Sequence, residues 1–247
     1  MYRIPPGLRR AALAAVLCCA SLAAAAAPRL PQAVRQYVDG WTQHDAAKVD
    51  AAVSDEGGYR DPSLWSPIHG ADLSDHVAKF KGAKFALQST ATPGPDKLDL
   101  TWTITWPDAR GTQRYVDHLF LRKGQITMVD SEGGPIPESY WPPIRDYFKY
   151  REAAEGDKVY ALFTEDGVIE ARIFPPGGIK GERVRRHFDR DKEQQFIMRP
   201  DGRRQMTKDG RPTVDFQINR KDGSHYIDGR EVFTLEGNRI ARLQGLF

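Results

Sequence analysis

The stretch DHLFLRKGQI at positions 117–126 returns as EVFTLEGNRI at positions 231–240, and that return decides the fold. Leu121 to Ile126 and Leu235 to Ile240 stand 114 residues apart, and other pairs keep nearly the same offset. Gly70, Leu73, His76 and Val77 find Gly181, Val184, His187 and Phe188 at 111. The acidic turn Asp55-Glu56-Gly57 finds Glu165-Asp166-Gly167 at 110, and His44-Asp45 finds Gly156-Asp157 at 112. So small a drift across a whole domain indicates one unit present twice. Gly133-Gly134-Pro135 to Pro142-Pro143 punctuates the chain between the copies.

Each copy reads as helices first and strands afterwards. In the first, Ala33 to Gly40 and Ala46 to Val53 are helical by composition and spacing, separated by a short extended turn, and Ala71 to Phe80 is a third helix after Gly70. Leu98, Leu100, Trp102, Ile104 and Trp106 then alternate with Asp99, Thr101, Thr103 and Thr105, which specifies a strand with one buried face. Arg114 to Arg122, the turn Lys123-Gly124 and Gln125 to Ser131 form a hairpin. The second copy repeats these strands at Thr213 to Asn219, Tyr226 to Leu235 and Arg239 to Gln244. Helices followed by an antiparallel sheet make an α+β arrangement and exclude a parallel dinucleotide-binding one.

Of the 247 residues, 40% are hydrophobic and 28% charged, so the chain reads as globular. Its first residues have the three parts of a secretory signal peptide: Arg3, Arg9 and Arg10, an apolar run from Ala11 to Leu22, and an Ala-x-Ala exit at Ala23 to Ala27. The mostly alanine stretch falls short of the roughly 20 strongly apolar residues of a membrane span. Removing it, with cleavage near Ala25 to Ala27, takes away both cysteines and leaves 33 basic against 33 acidic residues. The mature protein is therefore expected in the periplasm or secreted, without disulfides, without stable membrane insertion, and without the excess positive charge of a nucleic-acid binder. The expected organisation is 1–27 signal peptide, 28–134 first domain, 135–143 Pro-rich linker and 144–247 second domain.

DPSLWSPIHG at 61–70 and DHLFLRKGQI at 117–126, with the element order, resemble the nuclear transport factor 2-like superfamily, which includes ketosteroid isomerases and SnoaL-like polyketide cyclases. The second copy carries the same frame in REAAEGDKVYALFTEDGVIEA, IKGERVRRHF and EVFTLEGNRI. The resemblance implies two tandem cones, each a curved antiparallel sheet wrapped around helices with an apolar pocket at one end. It also implies roles. Asp61 stands where ketosteroid isomerases keep the proton-moving carboxylate, Tyr37 where they keep the phenol that holds the enolate oxygen, and Asp117 where they keep a protonated second donor. Trp65, Trp102, Tyr115 and Leu119 would line the ligand space.

The residues themselves are compatible with these roles. Asp117 alternates onto one face with Tyr115, Leu119 and Leu121, so its carboxyl can lie on the apolar side of a strand, where burial raises a pKa. Proton abstraction beside a carbonyl needs such a division between an ionised base and neutral donors. Structural readings stand beside the catalytic ones: an Asp-Pro turn cap for Asp61, a core aromatic for Tyr37, and pairing with Arg114 or Arg60 for Asp117. The second copy departs from the pattern, with Lys149 in the tyrosine's place, no Asp-Pro, and Glu231 as the echo of Asp117.

The six histidines show no metal-ligand spacing, and no serine elbow, phosphate loop or dinucleotide fingerprint is present, so neither metal nor cofactor is expected. His76 and His187, at equivalent helix positions, read as packing residues. Lys180 to Arg211 holds 11 basic against 6 acidic residues, a pattern that usually means solvated edge and turns rather than a surface for an anionic partner. The expectation is an exported protein that binds a small, largely apolar ligand in the N-terminal cone, its two domains forming an internal pseudo-dimer or a homodimer. The alternative is an isomerase or cyclase with Asp61 as base.

Overall fold

A computed structural model of the chain describes residues 30–247 except 109 and 195. The expected signal peptide lies outside these residues. The first copy comprises α1 (Gln32–Gln43), α2 (Ala46–Ala52), β1 (Val53–Arg60), α3 (Gly70–Ala78), β2 (Lys84–Gly94), β3 (Lys97–Thr105), β4 (Thr112–Arg122) and β5 (Gln125–Gly133). The second comprises α4 (Trp141–Glu152), α5 (Gly156–Ala161), β6 (Phe163–Glu170), β7 (Ile179–Lys180), α6 (Glu182–Glu193), β8 (Phe196–Met206), β9 (Pro212–Arg220), β10 (His225–Glu236) and β11 (Arg239–Leu246). The expected α+β architecture of two tandem sheet-and-helix units is what the chain adopts.

The sheets are mixed rather than purely antiparallel. Their strand orders are β1-β5-β4-β3-β2 and β7-β6-β11-β10-β9-β8, and β1 joins β5, as β6 joins β11, in parallel. A parallel neighbour needs a long crossover, which the third helix and the three strands after it supply in each copy. The acidic stretches read as turns, Asp55-Glu56-Gly57 and Glu165-Asp166-Gly167, instead lie within β1 and β6, where the pairing register shifts. A β-bulge uses the same residue types as a turn, which accounts for the difference.

Local chemistry explains the joints. α1 closes on His44 in the left-handed conformation (φ 55°), its N–H returning to Gly40 and Trp41, and the Asp45 side chain then accepts from Lys48 N at 3.1 Å to start α2. A Cβ on Gly40 would lie 2.6 Å from Val49 Cγ2 and 2.8 Å from Val49 N, so the close crossing of α1 and α2 requires glycine there. Pro142 and Pro143 fall in the first turn of α4, which needs no N–H from them, so the helix begins inside the expected linker.

Leu98, Leu100, Trp102 and Ile104 of β3 face inward as their alternation requires, and Trp102 meets Phe85 of β2, which packs in turn on Trp41 of α1. The second core gathers Tyr147, Phe148, Phe163, Phe188, Phe216 and Phe233 in the same way. The copies join along β5 and β8. Met206 N donates to Gly134 O at 2.9 Å, Gly133 N to Gln205 Oε1 at 3.1 Å, and a Cβ on Gly133 would collide with the Met206 carbonyl. Among the described residues no helix is long and apolar enough to cross a membrane.

Candidate functional site

Strand alternation delivers Asp117 to the inner face of β4, 0% exposed between Tyr115 and Leu119. Tyr37, on the buried stripe of α1, donates to Asp117 Oδ2 at 2.8 Å, and Ser131 Oγ on β5 makes a short hydrogen bond to Asp117 Oδ1. Ser131 Oγ also lies 3.5 Å from Tyr59 OH, which lies 3.4 Å from Asp61 Oδ2. The structure thus brings Asp61, Tyr37 and Asp117 into one buried chain of hydrogen bonds.

Two departures change what that chain can do. Lys208, from the β8–β9 connection of the second copy, reaches into the first cone and sets its Nζ 2.7 Å from Asp117 Oδ1. It is 1% exposed, with Nζ 4.5 Å from the Trp41 ring and 4.9 Å from that of Tyr59. Asp117 therefore accepts from three donors and is the counter-ion of a lysine. Its contacts are those of an acceptor, where the resemblance implies a donor, because the hydroxyls of Tyr37 and Ser131 and the ammonium of Lys208 all carry protons to give. The ligand space expected in the N-terminal cone holds this lysine instead. Of the expected lining, Trp102, Tyr115 and Leu119 are packed in the core, and Trp65 stands outside it, 45% exposed.

The second departure is His76. Buried on α3, it places Nε2 2.8 Å from Asp61 Oδ2, while Ser63 donates to Asp61 Oδ1 through its N–H at 2.7 Å and its hydroxyl at 2.6 Å. Asp61 is both the cap of its own Asp-Pro turn and the partner of a buried imidazole. Burial works against its ionisation, but the charge and hydrogen bond of His76, then Ser63 and Lys208, hold its carboxyl well below the ordinary range. Burial, followed by the negative charge of Asp117, pushes the Tyr37 phenol far up and keeps it a donor. The sequence reading gave His76 a packing role; its recurrence at His187 was the signal, but nothing local names the carboxylate 15 residues away.

Asp61 also borders a polar cleft of about 260 Å³ between the copies, lined by Arg60, Trp65, Asp130, Arg203 and Arg230 among others. Arg60 grips Asp130 at 3.0 and 2.7 Å, and Arg230 grips Asp215 at 2.5 and 3.1 Å. Arg60 is therefore not the partner of Asp117.

The second cone carries a related constellation. Tyr147 OH donates to Glu231 Oε1 at 2.6 Å, as Tyr37 does to Asp117, so the tyrosine's counterpart is Tyr147 and not Lys149. The cation comes from the same helix, Arg151 Nη1 donating to Tyr147 OH at 2.5 Å and lying 3.9 Å from Glu231. Ala171 lines this cone and stands 110 residues after Asp61, the offset that relates Tyr147 to Tyr37, so an alanine takes the base's position. A cavity of about 420 Å³ opens above these groups, walled by Ile169, Phe174, Phe196, Met198, Phe216 and Phe247. Two exposed apolar side chains, Ile173 (69%) and Tyr226 (50%), stand on its lining, Tyr226 stacked on Phe196 at 4.6 Å. His187 faces the same cavity; burial first, then Arg151 and Arg190, push it down to about 3.

Solved structures similar to the chain are each about the length of one copy. A protein of cystatin fold from Novosphingobium aromaticivorans is 16% identical with a TM-score of 0.36, the match covering 45% of this chain and 100% of that one. A nuclear transport factor 2-like protein of unknown function from Cytophaga hutchinsonii is 14% identical (TM-score 0.36; 43% and 91% covered). A protein with a ketosteroid isomerase-like fold from Catenulispora acidiphila, in complex with trimethylamine, is 14% identical (TM-score 0.36; 42% and 85% covered). No protein-family model matches the chain, and no curated protein matches it in sequence.

Proposed function

We propose that the protein binds a small, largely apolar ligand in its C-terminal cone, with the N-terminal cone as a stoppered partner in an internal pseudo-dimer. The observation that carries this reading is the contrast between the interiors. The cone that holds Asp61 and His76 has the Lys208 side chain buried inside it, whereas the cone that lacks the base keeps a cavity of about 420 Å³, within the range of small-molecule sites. Apolar walls with a few convergent polar groups suit binding, and exposed Ile173 and Tyr226 suit entry of an apolar molecule. The reading is tested with N-phenyl-1-naphthylamine, a neutral dye that brightens in apolar sites. Its fluorescence should saturate with the parent protein and be lost in Ile218→Trp, which fills the cavity; equal signals from both proteins would remove the second cone as the site.

The buried Asp61–His76 pair favours a second reading, proton transfer next to a carbonyl with Asp61 as base, Tyr37 as donor and Lys208 in place of a neutral Asp117. Substrate would have to meet Asp61 from the inter-cone cleft that it borders. Asp61→Asn would then abolish turnover of a carbonyl substrate and leave the fold intact. Export to the periplasm or medium is proposed on the signal-peptide pattern of residues 1–27, and fractionation of expressing cells checks it.

A further inference from the structure

The charged residues lining the second cavity are unequal in sign: Arg151 and Arg190 stand against Glu231, with His187 beside them. Glu231 is engaged with Tyr147 and Arg151 at the buried floor. Arg190, near the end of α6 and exposed, makes no ion pair with another described residue. His187 lies edge-on to Phe174, 5.1 Å between ring centres, within reach of both guanidiniums, whose charges disfavour its protonation. The polar side of the cavity is therefore a neutral imidazole N–H donor in a positive field, beside an apolar wall. A hydroxyl or carbonyl head would leave that field unanswered, whereas an anionic head would be met by charge-assisted hydrogen bonds.

We propose that the ligand of the second cone is an apolar acid, a medium-length carboxylate whose head sits beside His187 and Arg190 and whose body lies along Phe174, Phe196, Met198 and Phe216. The inference rests on the binding reading above and deepens it. Its test compares two chains of equal length that differ only in the head, decanoate and 1-decanol, as competitors of N-phenyl-1-naphthylamine bound to the whole mature protein at neutral pH. Decanoate should displace the dye at about one-tenth the concentration that 1-decanol requires, a ten-fold preference corresponding to one charge-assisted contact. Arg190→Ala should bring decanoate to the level of the alcohol and leave the 1-decanol midpoint within about two-fold. If the alcohol competes as well as the acid, or Arg190→Ala weakens both alike, the acid assignment is overturned while binding in the second cone stands. If the dye gives no signal that Ile218→Trp removes, the binding reading fails and the acid assignment with it.

Discussion

Lys208 is the side chain on which the first cone depends. Replacing it with methionine leaves Asp117 buried without a countercharge, and an uncompensated buried charge costs about 3–5 kcal/mol. Urea melts of Lys208→Met should show a loss of that size, and adding Asp117→Asn should recover most of it; a single variant as stable as the parent would contradict the pairing. The titrating groups divide the acid limb of stability into two windows. His187, pushed down to about 3, stays neutral in the fold while the unfolded chain takes up a proton near pH 6.5, so stability falls as pH drops from about 6.5 to about 3. Asp61, held below the ordinary carboxyl range, contributes fully above about pH 4 and loses its contribution only as pH falls further. His187→Gln should flatten the first window and Asp61→Asn the second, measured as urea midpoints against pH. The inward register of Asp117 was legible from the alternation of its strand. Its lysine was not, because Lys208 lies 91 residues away in a turn whose charges read as solvated.

At the scale of elements, the crossing of α1 and α2 gives a sharp expectation for Gly40→Ala. The substitution gains up to about 1 kcal/mol of helix propensity but sets a methyl 2.8 Å from the backbone N of Val49, which cannot step aside as a side chain could. A net loss of about 1–2 kcal/mol by thermal or urea unfolding is expected. The elements legible in the sequence were those with one wet face. β3, β4 and β5 alternate cleanly, and their copies β9, β10 and β11 follow. Strands β1 and β6 were hidden by the Gly and acidic residues of their bulges, β2 by a run of exposed positions after Phe85, and β8 by Pro200 and three arginines. The tyrosine of the second cone was misplaced by two residues for a related reason. His44 has its equivalent in Ala154, both left-handed at φ 55° and 53°, an offset of 110, whereas matching Asp45 to Asp157 imposed 112. Neither left-handed residue is a glycine, so composition does not mark the joint.

For the whole molecule, the two copies are unequal in one connection. Five residues, Thr207 to Arg211, join β8 to β9, and only Pro95 and Asp96 join β2 to β3. The longer connection is braced by Thr207, whose hydroxyl accepts from Arg211 N at 2.8 Å, and by Arg110, which donates to Asp209 O at 3.3 Å. The second copy can therefore stopper the first, and the first has no comparable loop to return. A chain ending at residue 140 should consequently be unstable or self-associating, and Asp117→Asn should restore a folded, monomeric species by circular dichroism and sedimentation. The stopper also sets a clock. Trp41 and Tyr37 lie behind a lysine whose loop is pinned to both copies, so solvent reaches them only when the copies part. Their exchangeable protons should trade with deuterium at the pace of that separation and not at the faster pace of side-chain motion.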